Sequence, residues 1–543
     1  MCLLCTADLF DPAVLGFGQT SQTLPGLGGM EGSPGNTGTL SQPQSSLISA
    51  GNHSTVFASG DSTIDGLLIG TAWAEPTLNF AFPSDSSFFT SPYEIAPGQM
   101  DTGYVNSFVA TSAAFQTVVR DMMSDLDGML AVTFVETANT DAELVFARTT
   151  DTDLGTASGR FPSYGANQGH QWYRNHIYEQ SPTMGSYTWA TILHETGHTL
   201  GLAHAHSADS ISGDFVGQVQ PRERDNMEFT VMSYRSYENA PTTGYRNETY
   251  GFAQSFMMDD IAAMQYLYGA DFTMNSGDTV YTFSTTTGEM FVDGVGQGTP
   301  GDNRIFRTLW DGDGTDTYDL SNYSQALEID LTPGGWSKLD DAQRVDLGNG
   351  NLARANVYNA RLFEEDARSL IENAVGGSSD DIIVGNRAKN RLEGGLGKDM
   401  LYGGGGVDTL LGGAGNDILY GDDAPPGPGA ASGISLGTST YSHGNTHGSF
   451  ANAFEITDRF SFDDDANIAD ATTLAHTSLS FTGPGSGTVP AQYYAITITR
   501  GTVLILDLDD SANLDSWINV YNAGQEVLAF NDDAGGDPGS ETE

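Results

Sequence analysis

Apolar and polar positions alternate differently in three consecutive stretches of this 543-residue chain. Residues 1 to about 55 are rich in Gly, Ser, Thr, Pro and Gln without a sustained period, which predicts a flexible leader or pro-segment. Residues 56–270 carry both the alternation of strands and the spacing of amphipathic helices, typical of a mixed α and β domain. From about residue 271, Gly, Asp and short β-prone runs replace the helical pattern.

Within 56–270 the spacing predicts individual elements. Apolar residues at alternate positions of 78–82, ahead of a proline, predict a strand. A helix of about five turns is predicted over 105–127, and its apolar face consists of Phe115, Val118, Val119, Met122, Met123 and Leu126. We expect further strands at 132–135 and 144–146, and further helices around the histidines near residue 194 and at 257–268.

A nine-residue repeat of the form Gly-Gly-x-Gly-x-Asp-x-apolar-x occupies 376–420. Its sixth positions are Asp381, Asn390, Asp399, Asp408 and Asp417, and its eighth positions are Ile383, Leu392, Leu401, Leu410 and Leu419. Glycines permit tight turns with inward carbonyls, and aspartate adds the hard oxygen that calcium prefers. The repeat therefore predicts a calcium-binding parallel β-roll rather than a flexible linker. The degraded copy at 385–393, which carries Asn390, predicts a weak or absent site.

The remaining sequence predicts a linker and a small β module. Residues 424–440 contain several prolines and glycines and read as the linker. Short alternating runs at 494–498 and 503–508 predict an all-β module over 441–543.

Charge and cysteine content restrict the partners and the location. The chain has 70 acidic and 21 basic residues, a formal net charge of -49, which argues against nucleic acid and anionic membranes as partners. No apolar run is long enough for a transmembrane helix, and the N-terminus does not resemble a cleavable signal, so export would use another route. Cys2 and Cys5 cannot cross-link the body of the chain; they fit either a reduced tail or a thiolate that caps a metal.

The pattern His194-Glu195-x-x-His198-x-x-Gly201-x-x-His204 predicts a catalytic zinc site. His194 and His198 lie four apart, so both imidazoles face the same side of a helix. Gly201 tolerates the positive φ needed to end that helix sharply and bring His204 round as a third ligand. Three neutral nitrogens leave a fourth position for water, beside which Glu195 would act as general base.

With Thr230-Val231-Met232-Ser233-Tyr234 further along, the sequence resembles the metzincin proteases and, among them, the serralysins. The resemblance covers roughly residues 60–423 and includes the segment 260–269. It implies that Met232 packs beneath the zinc and that Tyr234 is an additional ligand that swings away to stabilise the oxyanion. Ala205 stands where many serralysins carry proline.

The resemblance also implies calcium sites at the junction between the catalytic domain and the repeats. One predicted loop lies at 275–279, a partner loop lies at 311–316, and a further ligand comes from 371–374. The implied ligands are Asn275, Gly277, Thr279, Asp311, Asp313, Gly314, Asp316 and Glu372, in addition to Asp381, Asp399, Asp408 and Asp417 of the repeats.

The segments 515–521 and 527–533 resemble the bacterial pre-peptidase C-terminal domain, a β-sandwich attached to secreted proteases. Together these patterns predict a multidomain chain. Its expected parts are a leader (1–55), an α+β metzincin catalytic domain (56–270), a calcium-binding β-roll (271–423), a linker (424–440) and a C-terminal β-sandwich-like module (441–543).

The expected protein is a monomeric zinc endopeptidase, stabilised by calcium, that cleaves protein or peptide substrates outside the cell. The family resemblance implies unfolded export by type I secretion machinery. Two alternatives stay open from the sequence: a calcium-dependent adhesin or matrix-binding protein on a metzincin scaffold, and a zinc hydrolase of another class.

Overall fold

The computed structural model describes residues 53–421 except for 90–92, 97–98, 101–102, 163–166, 179–181 and 208–217. Beyond residue 421 it describes six short strands. Most of the predicted leader, the predicted linker and most of the predicted β module therefore lie outside the described residues. The chain divides into two compact units, residues 1–429 and 430–543.

Five α-helices are present in the described residues. They are α1 (Ser62–Asp65), α2 (Ala113–Met129), α3 (Asn175–Tyr178), α4 (Tyr187–Thr199) and α5 (Met258–Tyr268). None of them is long and apolar enough to cross a membrane.

The predicted start of the second helix near residue 105 is wrong. Helix α2 begins after Ser112, whose Oγ accepts a hydrogen bond from Phe115 N at 3.2 Å and so caps the first turn. Before that cap, Phe108 and Val109 pair with another strand instead. The predicted apolar face of α2 is buried, as the helical spacing indicated.

The part of the first unit that the structure describes begins with ten strands. They are β1 (His53–Thr55), β2 (Thr71–Trp73), β3 (Thr77–Ala81), β4 (Glu94–Ala96), β5 (Gln99–Met100), β6 (Phe108–Val109), β7 (Thr133–Glu136), β8 (Leu144–Thr149), β9 (Ala157–Gly159) and β10 (His170–Arg174). The strands expected at 78–82, 132–135 and 144–146 correspond to β3, β7 and β8.

The main sheet of this part has the order β7-β3-β8-β10-β9, with β6 pairing against β8. Strands β7, β3, β8 and β10 are parallel, whereas β9 runs antiparallel to β10 at the sheet edge. Helix α4 packs close to β9 and β10. The sheet therefore places an antiparallel edge strand beside the histidine helix.

After Tyr268 the described residues up to 421 contain strands but no α-helix. They are β11 (Val280–Phe283), β12 (Met290–Val292), β13 (Val295–Gly296), β14 (Arg307–Leu309), β15 (Thr317–Asp319), β16 (Glu328–Asp330), β17 (Trp336–Ser337), β18 (Val357–Asn359), β19 (Asn373–Val375), β20 (Ile382–Val384), β21 (Arg391–Leu396), β22 (Met400–Tyr402), β23 (Thr409–Ala414) and β24 (Ile418–Tyr420).

Successive nine-residue repeats alternate between two parallel sheets. One sheet contains β15-β19-β21-β23, and the other has the order β16-β20-β22-β24. Strands β19, β21 and β23 pair in register, as do β20, β22 and β24. Two repeats thus make one coil. The eighth-position side chains Ile383, Leu392 and Leu401 are fully buried between the sheets, whereas Leu419, in the last described coil, is 44% exposed.

The main hydrophobic core extends across the predicted boundary at residue 270. It contains the buried faces of α2, α4 and α5 and continues through Trp310, Trp336 and Tyr358. Residues 305–360 therefore pack against the histidine-bearing part. A separate core, which includes Tyr281 and Leu401, fills the space between the parallel sheets.

The second unit is described only as strands β25 (Tyr441–His443), β26 (Phe454–Glu455), β27 (Leu479–Phe481), β28 (Tyr494–Ala495), β29 (Trp517–Tyr521) and β30 (Val527–Asp532). Strand β28 lies within the strand expected at 494–498, and β29 pairs antiparallel with β30. The strand expected at 503–508 lies outside the described residues.

Candidate metal centres

Local hydrogen bonds define both ends of the histidine helix α4. Ser186 Oγ accepts from Trp189 N at 3.3 Å at its start. At its end Gly201 adopts φ 101°, and a Cβ there would lie 2.6 Å from Thr71 O. Only glycine fits both the conformation and the space. Trp73 Nε1 donates to Thr199 O at 2.8 Å and so satisfies one of the last helical carbonyls.

The three predicted zinc ligands converge in a buried cluster. One nitrogen from each of His194, His198 and His204 lies within 4.8 Å of the others, and all three side chains are buried. His198 Nε2 and His204 Nε2 are 3.1 Å apart. His194 Nδ1 contacts Val231 O, and His198 Nδ1 contacts Leu202 O, each at 2.8 Å. Those Nδ1 atoms therefore carry the protons, and the Nε2 atoms face the cluster as acceptors.

Two of these imidazoles, those of His194 and His204, are in the protonation state that a metal requires. Burial lowers the pKa of His194 to about 4 and lowers the pKa of His204 well below its usual value, so both are neutral at pH 7. His194 Nε2 is buried and has no hydrogen-bond partner among the described residues. Three neutral imidazole nitrogens are the donor set of catalytic zinc sites. The residues present therefore fit a zinc ion.

Glu195 follows the first histidine and lies against the edge strand. Its side chain is 2% exposed. A Cβ on Gly159 of β9 would lie 2.4 Å from Glu195 O and 3.2 Å from Glu195 Oε2. The absence of a side chain at Gly159 lets the edge strand approach this carboxylate.

Tyr234, Met232 and His206 surround the histidine cluster. The Tyr234 ring centroid lies 4.6 Å from that of His204 and 4.8 Å from that of His206. Met232 is fully buried, and its Sδ would lie 2.6 Å from a Cβ on Gly197. The thioether thus packs under the helix between the first two histidines. The zinc-site pattern assigns Gly197 no role, although a glycine inside a helix indicates close packing.

A buried carboxylate holds the segment that carries Met232. Asp260, in the first turn of α5, accepts hydrogen bonds from Thr230 Oγ1 at 2.5 Å, Val231 N at 2.8 Å and Met257 N at 2.9 Å. Val231 O in turn accepts from the imidazole of His194. Asp260 therefore positions both Met232 and a predicted zinc ligand. Acidic residues are common in first helical turns, so its sequence position alone does not indicate this role.

Two groups of predicted calcium ligands form one continuous column. Thr279 N donates to Asp316 Oδ1 at 2.8 Å, and Asp316 N donates to Glu372 Oε2 at 2.8 Å. One coil further, Asn390 N donates to Asp408 Oδ1 at 2.9 Å. The junction residues and the repeat residues thus occupy equivalent positions in successive coils. We call this set, Thr279, Asp316, Glu372, Asn390 and Asp408, the first column.

The alternate repeats form a second column on the opposite sheet. Leu327 N donates to Asp381 Oδ1 at 2.8 Å, Asp381 N to Asp399 Oδ1 at 2.9 Å, and Asp399 N to Asp417 Oδ1 at 3.1 Å. We call Asp381, Asp399 and Asp417 the second column. Each sixth-position carboxylate therefore accepts the N–H of the coil before it.

The two junction loops lie against each other. Gly277 N donates to Asp313 O at 2.6 Å, and a Cβ on Gly314 would lie 2.2 Å from Gly277 O. Asn275 Nδ2 and Asp311 Oδ2 both bond to Tyr281 OH, at 2.9 and 2.5 Å. All eight junction residues named from the sequence are thus brought to one end of the first column.

These carboxylates have the electrostatic properties of cation ligands. Burial raises the pKa of Glu372 to about 7 and that of Asp381 to about 6, and it raises the pKa of Asp316, with Asp311 nearby adding to the effect. Asp316 Oδ2 and Asp399 Oδ2 are buried and have no hydrogen-bond partner in the described part of the chain. Buried oxygens of this kind fit calcium, which takes carboxylate and carbonyl ligands.

Comparison with known proteins matches these features to a protease family. The family model "Peptidase M10 serralysin C terminal" matches residues 270–532. The chain is 32% identical over 372 residues to serralysin of Proteus mirabilis, covering 66% of this chain and 68% of that protein. It is 30% identical over 360 residues to metallopeptidase AprA of Pseudomonas marginalis, covering 64% and 70% respectively.

The chain belongs to the serralysin family of zinc metalloendopeptidases. Metalloprotease AprA of Pseudomonas entomophila (strain L48) is also similar, with 28% identity over 330 residues; the match spans 60% of this chain and 63% of that protein. The family match continues to residue 532, beyond the nine-residue repeats. In this serralysin, the matched C-terminal region therefore begins where helix α5 ends.

Proposed function

We propose that this serralysin is a secreted endopeptidase that hydrolyses peptide bonds of extracellular proteins and that calcium stabilises its fold. The observation that carries the proposal is the convergence of three buried imidazoles, with the buried Glu195 adjacent in the chain to the first of them. Catalytic zinc sites require this donor set and a general base within reach of the open position.

His194, His198 and His204 would hold a zinc ion, which would supply Lewis acidity for the scissile carbonyl and the attacking water. Glu195 would take the proton of the attacking water and deliver it to the leaving amine. Tyr234, whose ring packs on His204, donates to the developing oxyanion. Met232 and Asp260 keep the ligand cluster in place from below.

The edge strand β9 favours an extended peptide as substrate. Among the described residues, strand β9 pairs with β10 on one side and with no strand on the other, so a peptide can add as a further strand. Gly159 would bring that peptide close to Glu195. This arrangement suits endopeptidase chemistry, because the substrate chain continues past the site in both directions.

The proposed architecture is a metzincin catalytic domain followed by a parallel β-roll that binds calcium. The two columns, with their buried carboxylates, support calcium at the junction and in the repeats. Without the cation these like charges repel, so calcium binding would be coupled to folding. That coupling fits export in an unfolded state through type I secretion machinery, followed by folding in extracellular calcium.

The test compares Glu195→Ala with Glu238→Ala, an exposed residue of a nearby loop. Removing the general base should leave bound zinc unchanged and reduce casein hydrolysis by about 10²–10⁴-fold. The Glu238→Ala control should keep full activity. Zinc per chain is measured by atomic absorption alongside the rate. Undiminished hydrolysis by Glu195→Ala would refute the mechanism, and an inactive wild type with bound zinc would favour an adhesive role.

A further inference from the structure

The connection between Glu372 and Asn390 differs chemically from the other steps of the first column. Here the side chain of the later coil donates: Asn390 Nδ2 bonds to Glu372 O at 2.6 Å. At the other steps described above, a carboxylate oxygen accepts a backbone N–H instead. One coil of the stack therefore carries an amide where its neighbours carry an anion.

A second asparagine completes the arrangement. Asn386 Nδ2 donates to Leu331 O at 3.0 Å and to Ile371 O at 2.7 Å. Asn390 Nδ2 also donates to Asn386 Oδ1 at 3.2 Å, and Asn390 Oδ1 accepts from Asn386 N at 2.9 Å. Each of the two amide groups thus uses both of its N–H donors.

Both asparagines are almost fully buried, Asn386 at 4% exposure and Asn390 at 1%. The carbonyls of Leu331, Ile371 and Glu372 converge on them from neighbouring coils. Carbonyl oxygens of turns are the ligands that calcium takes beside aspartate. At the repeat 385–393 these carbonyl oxygens already accept hydrogen bonds from amide N–H groups, and neither asparagine contributes a negative charge.

The contrast with the second column is direct. Asp399 is as buried as Asn390, yet its Oδ2 has no hydrogen-bond partner among the described residues. A buried anionic oxygen without a donor is unfavourable unless a cation approaches it. A cation would therefore stabilise the repeat of Asp399 (394–402), whereas the buried amide groups of the repeat at 385–393 already have partners.

We propose that the Asn386–Asn390 amide pair takes the place of a calcium ion, so that the repeat at 385–393 closes without calcium and forms the base on which the calcium-dependent repeats stack. The proposal rests on the proposed calcium binding of the other coils. It assigns a structural role to the degraded repeat at 385–393: it joins the junction residues to the regular repeats by neutral hydrogen bonds.

The test uses the full chain with zinc bound and three variants. Bound calcium per chain is measured after equilibrium dialysis, and the Tm is measured in calcium and in a calcium chelator. Asn390→Asp should bind one more calcium than wild type and should melt lower than wild type in the chelator. Asp399→Asn, the reverse exchange in the second column, should bind less calcium than wild type.

Asn386→Ala keeps the test decisive if Asn390→Asp does not fold without calcium. It leaves two carbonyls without their donors and should lower the Tm by the same amount, about 3 °C or more, in calcium and in chelator. Wild-type stoichiometry in Asn390→Asp would overturn the proposal, as would a Tm loss in Asn386→Ala that occurs only in calcium. A wild-type chain that binds no calcium would instead refute the proposed calcium function.

Discussion

Glu228 offers a test of whether residues 305–360 are part of the catalytic core. It lies in the segment leading to Met232, and it accepts from Arg354 N at 2.6 Å and from Tyr358 OH at 2.9 Å. Arg354 also forms an ion pair with it at 3.1 Å. These contacts join parts of the chain more than a hundred residues apart across the predicted domain boundary.

The expected magnitude follows from burial. The Glu228 side chain is 7% exposed and that of Arg354 is 24% exposed. Breaking a buried ion pair costs about 3–5 kcal/mol, because the remaining charge has lost its partner. Since Arg354 keeps some contact with solvent, we expect Glu228→Gln to cost about 3 kcal/mol, near the lower end of that range.

Glu136→Gln is the matched control. Glu136 pairs with Arg120 at 2.6 Å, but those side chains are 42% and 41% exposed. An exposed pair contributes less than about 1 kcal/mol. The free energy of unfolding is obtained from urea titrations followed by tryptophan fluorescence, with zinc and calcium saturating. If the two variants differed by less than about 1 kcal/mol, Arg354 and Tyr358 would not belong to the catalytic core.

Three further predictions concern Gly201 at the end of the histidine helix, the buried Asp260 and the carboxyl of Glu372. Gly201→Ala should lower the free energy of unfolding by about 2 kcal/mol more than Gly60→Ala, because both glycines have positive φ but only at Gly201 would a Cβ meet a backbone oxygen. Equal losses of unfolding free energy in urea titrations would contradict this prediction. Asp260→Ala should lower the free energy of unfolding by about 3–5 kcal/mol and weaken zinc retention, because three buried donors lose their acceptor. Asp260→Asn, which keeps one acceptor oxygen, should lower it less. Tight zinc binding by the alanine variant would count against a role of Asp260 in positioning the zinc ligands. With calcium removed and zinc retained, the Tm should be higher at pH 5.5 than at pH 8. The reason is that the folded pKa of Glu372 is raised to about 7, so this carboxyl stabilises the fold below that pH and loses the effect as pH rises through it. Calcium should abolish the Tm difference, and calorimetry that shows no pH dependence of the Tm in chelator would contradict the prediction.

Local spacing was sufficient to predict the histidine helix and the repeats. His194 and His198 four apart, and a glycine three residues beyond, determine a helix that ends in a sharp turn, because these relations depend only on neighbouring backbone geometry. The nine-residue period likewise predicted the burial of Ile383, Leu392 and Leu401. A regular period can be read from sequence because each coil repeats the same local contacts.

Contacts between residues that are separated by irregular distances along the chain were decided by the tertiary structure alone. The steps from Thr279 to Asp316 and from Asp316 to Glu372 are 37 and 56 residues, whereas the later steps are 18. Only the pairing of the strands reveals that they form one column. The approach of Asp260 to Val231 and of Glu228 to Arg354 depends on packing between distant segments, whose geometry no local pattern records. The sequence by itself thus predicted candidate metal ligands, and the tertiary structure decided which distant residues hydrogen-bond to them, because those contacts depend on packing and not on spacing.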